Sequence, residues 1–379
     1  MAGSQEQNAT AEQASADKIN AFVLVARGMG ANTWSRVYDS GELIGMNERF
    51  AYGYFHAEDH GCRVTYSTDA PQSLPGRVMR LGFRAILGFD LVHAWRNRTG
   101  ILASDVVWTH TESQSLAVSL LLSLVRPEKP PKLILQTVWF MDKYPRLDPL
   151  RKRLWRWLLR KADILTFLAT INRDEARELF PDTRCEFIPF GIPNDAAVTP
   201  SERPPHKPMR ILSLGNDRHR DWPVLIEAFG NDDDFEAKIL STKLPQSAVK
   251  HTPNIQVLQA TSNDELYEAY AWADVVVVPL SENKHASGIT VVEEGVLRGV
   301  PVVATDIGGL RSYFSDEEIW YVPEGDRTAM RETVKTLANA PGEALGRMKK
   351  ATDKMLHGDL NSRAYARRHA ELSKELLER

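Results

Sequence analysis

Residues 275–310 read VVVVPLSENKHASGITVVEEGVLRGVPVVATDIGGL, and this stretch decides the fold. The apolar run Val275 to Leu280 is short, β-branched and broken near its end by Pro279, the pattern of a buried parallel strand. A polar loop, Ser281 to Gly288, follows. Thr290-Val-Val-Glu293 then fits a capping box, in which hydroxyl and carboxylate satisfy free amides at a helix start. The helix is expected to end near Gly299, and Pro301 opens a second apolar strand closed by Asp306 and Gly308-Gly309. Strand, loop, helix and strand make a βαβ unit, which takes its ligands at the carboxyl ends of the strands. A helix amino terminus there offers free N–H groups and a positive dipole end to an anion.

Glu294-Gly-Val-Leu-Arg-Gly299-Val-Pro301-Val302, followed by Thr305-Asp-Ile-Gly308-Gly309, resembles the donor-site signature of retaining glycosyltransferases of family 4. That resemblance implies the GT-B fold, two Rossmann-like βαβ domains facing each other across a cleft. It implies that Glu294 holds the ribose hydroxyls of a sugar nucleotide. The loop and helix start before it, with His285, Ser287, Gly288, Ile289 and Thr290, would receive the diphosphate and the sugar. The family usually has a second glutamate eight positions before the first; this chain has Ala286 there, so the donor-sugar contact differs from the family pattern.

The chain has 379 residues, enough for two domains, with 43% hydrophobic and 26% charged residues and a net charge of −3. Without a basic excess, nucleic acid is not an expected partner. Cys62 and Cys185 have neither metal-ligand spacing nor a disulfide framework, which fits a reducing cytoplasm. No apolar run is long enough to span a bilayer. Residues 1–17 are rich in Ala, Gln, Ser and Glu and read as a disordered tail.

Ile19 to Ala26 is the first expected strand and runs into Arg27-Gly28-Met29-Gly30-Ala31-Asn32-Thr33. A glycine turn after a first strand lets backbone approach a ligand, although a plain tight turn reads the same way. By the resemblance this loop faces the cleft, making Gly30, Asn32 and Thr33 candidates for acceptor or phosphate. Asp105-Val-Val-Trp-Thr-His110-Thr-Glu112 puts His110 at a strand end just before a helix, where histidine donates a hydrogen bond or exchanges protons. Relatives of the resembled family place a histidine there against the donor sugar; a hydrogen-bonded structural histidine is the alternative. Leu74 to Gly88 mixes arginines with large apolar residues. Arg151 to Lys161, RKRLWRWLLRK, is a basic amphipathic helix with tryptophans. Either suits a peripheral membrane contact or a solvated domain face. An Asn cap is expected at Asn172.

Residues 201–208, within a proline-rich polar stretch, have the composition of a linker between a domain over 18–200 and a second over 209–359. Residues 360–379 form a charged amphipathic helix, which in the GT-B fold crosses back to the first domain. After the linker, Arg210 to Gly215 is a strand leading to Asn216-Asp-Arg218-His219-Arg220-Asp221. The resembled family neutralises the donor diphosphate from this loop, so Gly215, Arg218 and Arg220 are candidates. Arginine suits that role through paired, charge-assisted hydrogen bonds. Asp217 and Asp221 are their alternative partners as loop ion pairs. Ala260 and Thr261 follow a further strand and, by the resemblance, border the base. Asn231-Asp-Asp-Asp234 lies at the opposite end of its strand and reads as a solvated acidic turn; no metal or other cofactor is expected. The expectation is a metal-independent, retaining GT-B glycosyltransferase with His110, Arg220 and Glu294 at its centre. Its donor would be a nucleotide sugar and its acceptor a glycan or lipid-linked glycan at a membrane's cytoplasmic face. A non-catalytic sugar-nucleotide-binding protein and a nucleotide-sugar epimerase on the same fold stay open.

Overall fold

The computed structural model describes residues 18–202 and 204–378, so the expected disordered tail over residues 1–17 lies outside the described residues. The second half of the chain forms a six-stranded parallel sheet from β7 (Met209–Leu214), β8 (Phe235–Leu240), β9 (Ile255–Leu258), β10 (Val275–Val278), β11 (Val302–Thr305) and β12 (Trp320–Val322). Its strand order is β12-β11-β10-β7-β8-β9. The chain therefore reverses direction across the sheet between β7 and β10, where a doubly wound sheet opens a crevice for ligands. The first half forms a second parallel sheet from β1 (Ile19–Leu24), β2 (Cys62–Tyr66), β3 (Val106–Thr109), β4 (Lys132–Thr137), β5 (Ile164–Phe167) and β6 (Arg184–Phe187). Its order, β2-β1-β3-β4-β5-β6, puts the reversal between β1 and β3.

The four-valine strand shows why the sequence folds this way. Val275 and Val277 join Ile211, Phe229, Ala237 and Val303 in the core of the second domain. Val276 and Val278, on the other face, join a buried cluster that continues through Val302, Tyr313 and Tyr365 to Val23 and Val106 of the first sheet. A strand buried on both faces has no use for polar alternation. The strand ends at Val278, two residues before Leu280 as the sequence suggested, because Pro279 cannot donate to the ladder.

Two helix starts differ from expectation. The helix Ile289–Leu297 is not capped by Thr290 and Glu293; its N-cap is Gly288, in the left-handed region at φ 83°, with no side-chain cap. Glu293 is fully buried instead, and neither carboxylate oxygen has a partner among the described residues. Burial wins over capping because the carboxylate faces inward from a helix apolar almost all round. Likewise Asn172 sits inside the helix Thr170–Leu179, capped at Ala169, and donates to the Val138 carbonyl at 3.3 Å.

The last helix, Ser362–Leu377, lies on the first domain. Tyr365 and Tyr54 hydroxyls meet at 2.8 Å, and the Trp108 indole donates to Ser373 Oγ at 2.9 Å. The domain halves are thus stitched by buried polar contacts as well as by apolar area. No helix of the described residues is long and apolar enough to cross a membrane.

Candidate active site

The loops after β7 and β10 meet at the reversal point of the second sheet. Asp221 N–H donates to the Pro279 carbonyl at 3.0 Å, and Ser281 N–H to the His219 carbonyl at 2.9 Å. Between them lies Arg220, only 8% exposed. Its Nε donates to the Leu214 carbonyl at 2.8 Å and its Nη1 to Ser287 Oγ at 3.2 Å. Two glycines make the space. A Cβ on Gly215 (φ +137°) would stand 2.3 Å from Arg220 Nε, and one on Gly288 (φ +83°) would meet Val278 and Arg220 Nη1. Both positions need glycine for backbone and for volume. Burial lowers the Arg220 pKa to about 10, with Asp217 opposing, so it stays charged at neutral pH. A buried cation at the start of the helix Ile289–Leu297 adds to the helix dipole, giving a site of positive potential.

Glu294 projects from the second turn of that helix. The Tyr270 hydroxyl donates to its Oε2 at 2.8 Å, and the Met46 N–H of the first domain donates to its Oε1 at 3.1 Å. Burial raises the Glu294 pKa, and these two donors hold the rise down. Tyr270 also feels the charge of Arg220. Ser287 and Gly288, which touch Arg220, immediately precede the helix that carries Glu294, so Arg220 stands at that helix's amino end and Glu294 in its second turn. Glu294 and Thr290 line an interdomain cavity of about 200 Å³ whose far wall is Trp34, Met46, Asn47, Tyr52 and Phe190.

His285 joins the two domains. Its Nδ1 meets Asp142 Oδ2 of the first domain at 2.7 Å, and its Nε2 meets Asp217 Oδ2 at 3.3 Å. Burial opposes charge on the ring, yet the two carboxylates outweigh it and raise its pKa. Lys284 extends the contact: its N–H donates to Asp142 Oδ1 at 2.8 Å and its ammonium pairs with Glu175 at 2.7 Å. Among the described residues, Asp217, His219 and His285 bring three metal-ligating atoms within 4.8 Å of one another. The Arg218 Nε donates to His219 Nε2 at 3.0 Å. With both ring nitrogens donating, His285 bonds Asp142 and Asp217 at once. The acidic turn is engaged elsewhere: Asp232 pairs with Arg331.

In the first domain, His110 ends β3, 6% exposed. Its Nδ1 accepts from the Gln136 amide at 3.2 Å and lies 3.1 Å from the Tyr54 hydroxyl. Burial, with the nearby His369, lowers its pKa to about 3. Burial thus favours the neutral ring at pH 7 and its hydrogen-bonding role over proton exchange. Tyr52 stacks on it, ring centroids 3.3 Å apart and 12° from parallel, from a left-handed backbone at φ 65°. Tyr52 walls both the cavity beside Glu294 and a second one of about 270 Å³ toward Arg27, Asp90, Glu112 and Trp139. The stacked pair thus stands between two halves of the cleft.

The remaining candidates divide. Ser287, Gly288 and Gly215 surround Arg220, whereas Ile289 is buried in the core. Arg218 is exposed on the loop beside His219. Gly30 and Asn32 are engaged with Asp69, through its carboxylate at 3.2 Å and its backbone at 3.1 and 2.8 Å; neither they nor Thr33 lines the Glu294 cavity. Thr261 gives both its N–H and its hydroxyl to Glu265, at 2.7 and 3.0 Å, and Ala260 precedes it without a polar side chain. Asp221 caps its own helix, and Asp217 is committed to His285, so neither is an ion-pair partner of the arginines. Tyr270, Met46, Tyr52 and Asp142 were missed. Met46, Tyr52 and Asp142 contribute from the first domain by packing across the cleft, which no local pattern encodes. Tyr270 lies on the helix Asn263–Trp272, just before β10 in the chain and in the same domain as Glu294.

Residues 217–340, about a third of the chain, match the family described as Glycosyl transferases group 1. No curated protein matches the sequence. Among solved structures, sucrose-phosphate synthase from Thermosynechococcus elongatus is 15% identical with a TM-score of 0.72, over 95% of this chain and 99% of that one. The Anabaena protein Alr3699/HepE, in complex with UDP and glucose, is 10% identical with a TM-score of 0.65, over 94% and 99% of the two chains. An α,α-trehalose-phosphate synthase (UDP-forming) from Burkholderia vietnamiensis is 11% identical with a TM-score of 0.63, over 95% and 98%. The chain thus has the GT-B fold, two Rossmann-like domains closing on a cleft, and its second domain is similar to the group 1 glycosyltransferases.

Proposed function

We propose that the protein moves a sugar from a nucleoside diphosphate sugar, UDP- or GDP-linked, to an acceptor hydroxyl with retention at the anomeric carbon. The observation that carries this reading is buried Arg220 held against Ser287 and Gly288 at the start of the helix that carries Glu294, at the reversal point of a sheet of Rossmann order. Fold alone does not assign an activity, and the site must. Arg220, Arg218 and the amides of Ser287 to Thr290 take the diphosphate, and their charge stabilises the leaving nucleotide as the glycosidic bond breaks. These cations do the work without a metal ion. Glu294 holds the ribose, whose hydroxyl replaces the Met46 N–H on Oε1. His110, neutral, offers the donor sugar a hydrogen bond from Nε2. The leaving phosphate itself assists the incoming hydroxyl. Names of the similar structures carry UDP, which favours a uridine donor. The acceptor is a glycan or lipid-linked glycan in surface polysaccharide or glycolipid synthesis at the cytoplasmic face of a membrane.

Burial of His110 under Tyr52 favours one rival, a protein that binds the sugar nucleotide without turning it over. A thermal-shift panel of UDP-, GDP-, ADP- and dTDP-sugars, followed by donor hydrolysis assays, separates the readings. A ligand at a hundred times its Kd stabilises the native state by about 2.7 kcal/mol. A shift with one nucleotide and slow hydrolysis lost in His110→Ala supports transfer. Tight binding without turnover supports the rival, and no shift with any nucleotide removes both.

A further inference from the structure

The helix Leu74–Leu87 buries none of its residues, although it carries Leu74, Val78, Met79, Leu81, Phe83 and Ile86. Three of these, Leu74, Val78 and Ile86, are 79%, 71% and 72% exposed. A helix of a globular protein normally turns its apolar face to the core. This one is fastened by polar groups instead. Arg80 pairs with Asp90 at 2.5 Å on its inner side. Arg151 donates to the carbonyls of Ala85 and Ile86 at 2.6 and 3.2 Å, and the Trp155 indole donates to the Leu87 carbonyl at 3.0 Å. Holding a helix by its carbonyls and one inward arginine leaves its apolar side chains for another surface.

Charge names that surface. Residues 74–87 contain three arginines and no acidic residue, and residues 149–161 of the neighbouring helix segment contain six basic residues and no acidic one, in a chain of net charge −3. Arg151 bolts the two helices together, and Leu150 (82% exposed) and Trp157 (48%) carry the apolar character across. Trp157 has the Lys161 ammonium 4.4 Å from its ring, the amphipathic pairing suited to a headgroup region. A neutral apolar partner would match the apolar residues alone and a soluble polyanion the charge alone; an anionic bilayer matches both at once.

We propose that the helix Leu74–Leu87 and the adjoining Pro149–Leu159 form a docking face for an anionic lipid bilayer. Arg80 and Arg84 of the same helix line the cavity beyond Tyr52. Docking therefore sets that cavity at the membrane surface, and, resting on the transferase reading, the acceptor is one anchored in the lipid. The test is co-sedimentation of the full chain with vesicles of phosphatidylcholine alone and with added phosphatidylglycerol. Each basic residue reaching the headgroups multiplies partition by roughly fivefold, so anionic vesicles are expected to retain the protein at least about tenfold better than neutral ones. The double variant Val78→Glu, Ile86→Glu loses that binding while its Tm and its UDP-induced shift stay unchanged, both positions being solvent-facing. Equal binding to neutral vesicles, or binding indifferent to the double variant, overturns the proposal. So does a dimer in solution that the double variant dissociates, which gives the face to a second copy. Absent vesicle binding with an intact nucleotide shift rejects the docking face alone; absence of a shift with any of the UDP-, GDP-, ADP- and dTDP-sugars, with intact vesicle binding, rejects the transferase reading alone.

Discussion

Glu293 and Glu294 are neighbours with opposite fates. Glu294 has two donors and a cavity, whereas Glu293 is buried with both oxygens unpartnered among the described residues. Burial, with Glu294 adding to it, pushes the Glu293 pKa well up and favours its neutral form. A buried carboxyl without hydrogen bonds costs about 1–3 kcal/mol. Glu293→Met, similar in volume, is expected to raise the unfolding free energy by about that much in a urea titration; a fall shows that the carboxyl has a partner. Glu294→Ala has the opposite sign, because it strands the Tyr270 hydroxyl and the Met46 N–H. A loss of about 1–3 kcal/mol is expected, with Glu294→Gln losing less. The sequence carried Glu294 through its register with Gly299 and Pro301. It misassigned Glu293, because a Thr-x-x-Glu spacing reads as a cap wherever it falls, and only the packed helix shows which carboxylate faces inward.

At the scale of elements, the βαβ unit was legible from Val275 to Gly309 because each part has its own local signal: β-branched run, glycine turn, proline start. The contacts that close the cleft were not, since Asp142 and His285 stand 143 positions apart. That bridge makes a pH prediction. The folded pKa of His285 is raised, so the folded state holds its proton at pH values where the unfolded chain has lost it. Its contribution is complete below the ordinary histidine range and is lost as pH rises through the raised folded value. Asp142 and Asp217 run the other way. Burial opposes their ionisation, but hydrogen bonds from His285 and nearby N–H groups hold both pKa values down, so their contribution disappears only in strong acid. Tm measured across neutral to mildly alkaline pH is therefore expected to fall in the native protein. In Asp142→Asn the fall is shallower, from a starting stability about 1–3 kcal/mol lower. Equal slopes for the two proteins contradict a charged His285 in the bridge.

Over the whole molecule, the last helix binds the first domain through Tyr365, which donates to Gln136 Oε1 at 2.7 Å within the same buried group that holds His110. Tyr365→Phe removes that donor and is expected to cost about 1–3 kcal/mol while leaving nucleotide affinity unchanged, because the proposed nucleotide site lies on the other domain. The two-domain plan was readable from the repeated βα rhythm, while the contacts of the first domain's loops were not: Gly30 and Asn32 bond Asp69, and Tyr52 covers His110. The central claim is that Arg220 and Glu294 converge on one nucleotide. Calorimetric titration of UDP into the native protein, Arg220→Ala and Glu294→Ala tests it most directly. Loss of a charged hydrogen-bond partner is worth about 1.5–3 kcal/mol, so each folded variant is expected to bind at least roughly tenfold more weakly. Undiminished UDP affinity in both variants contradicts the account.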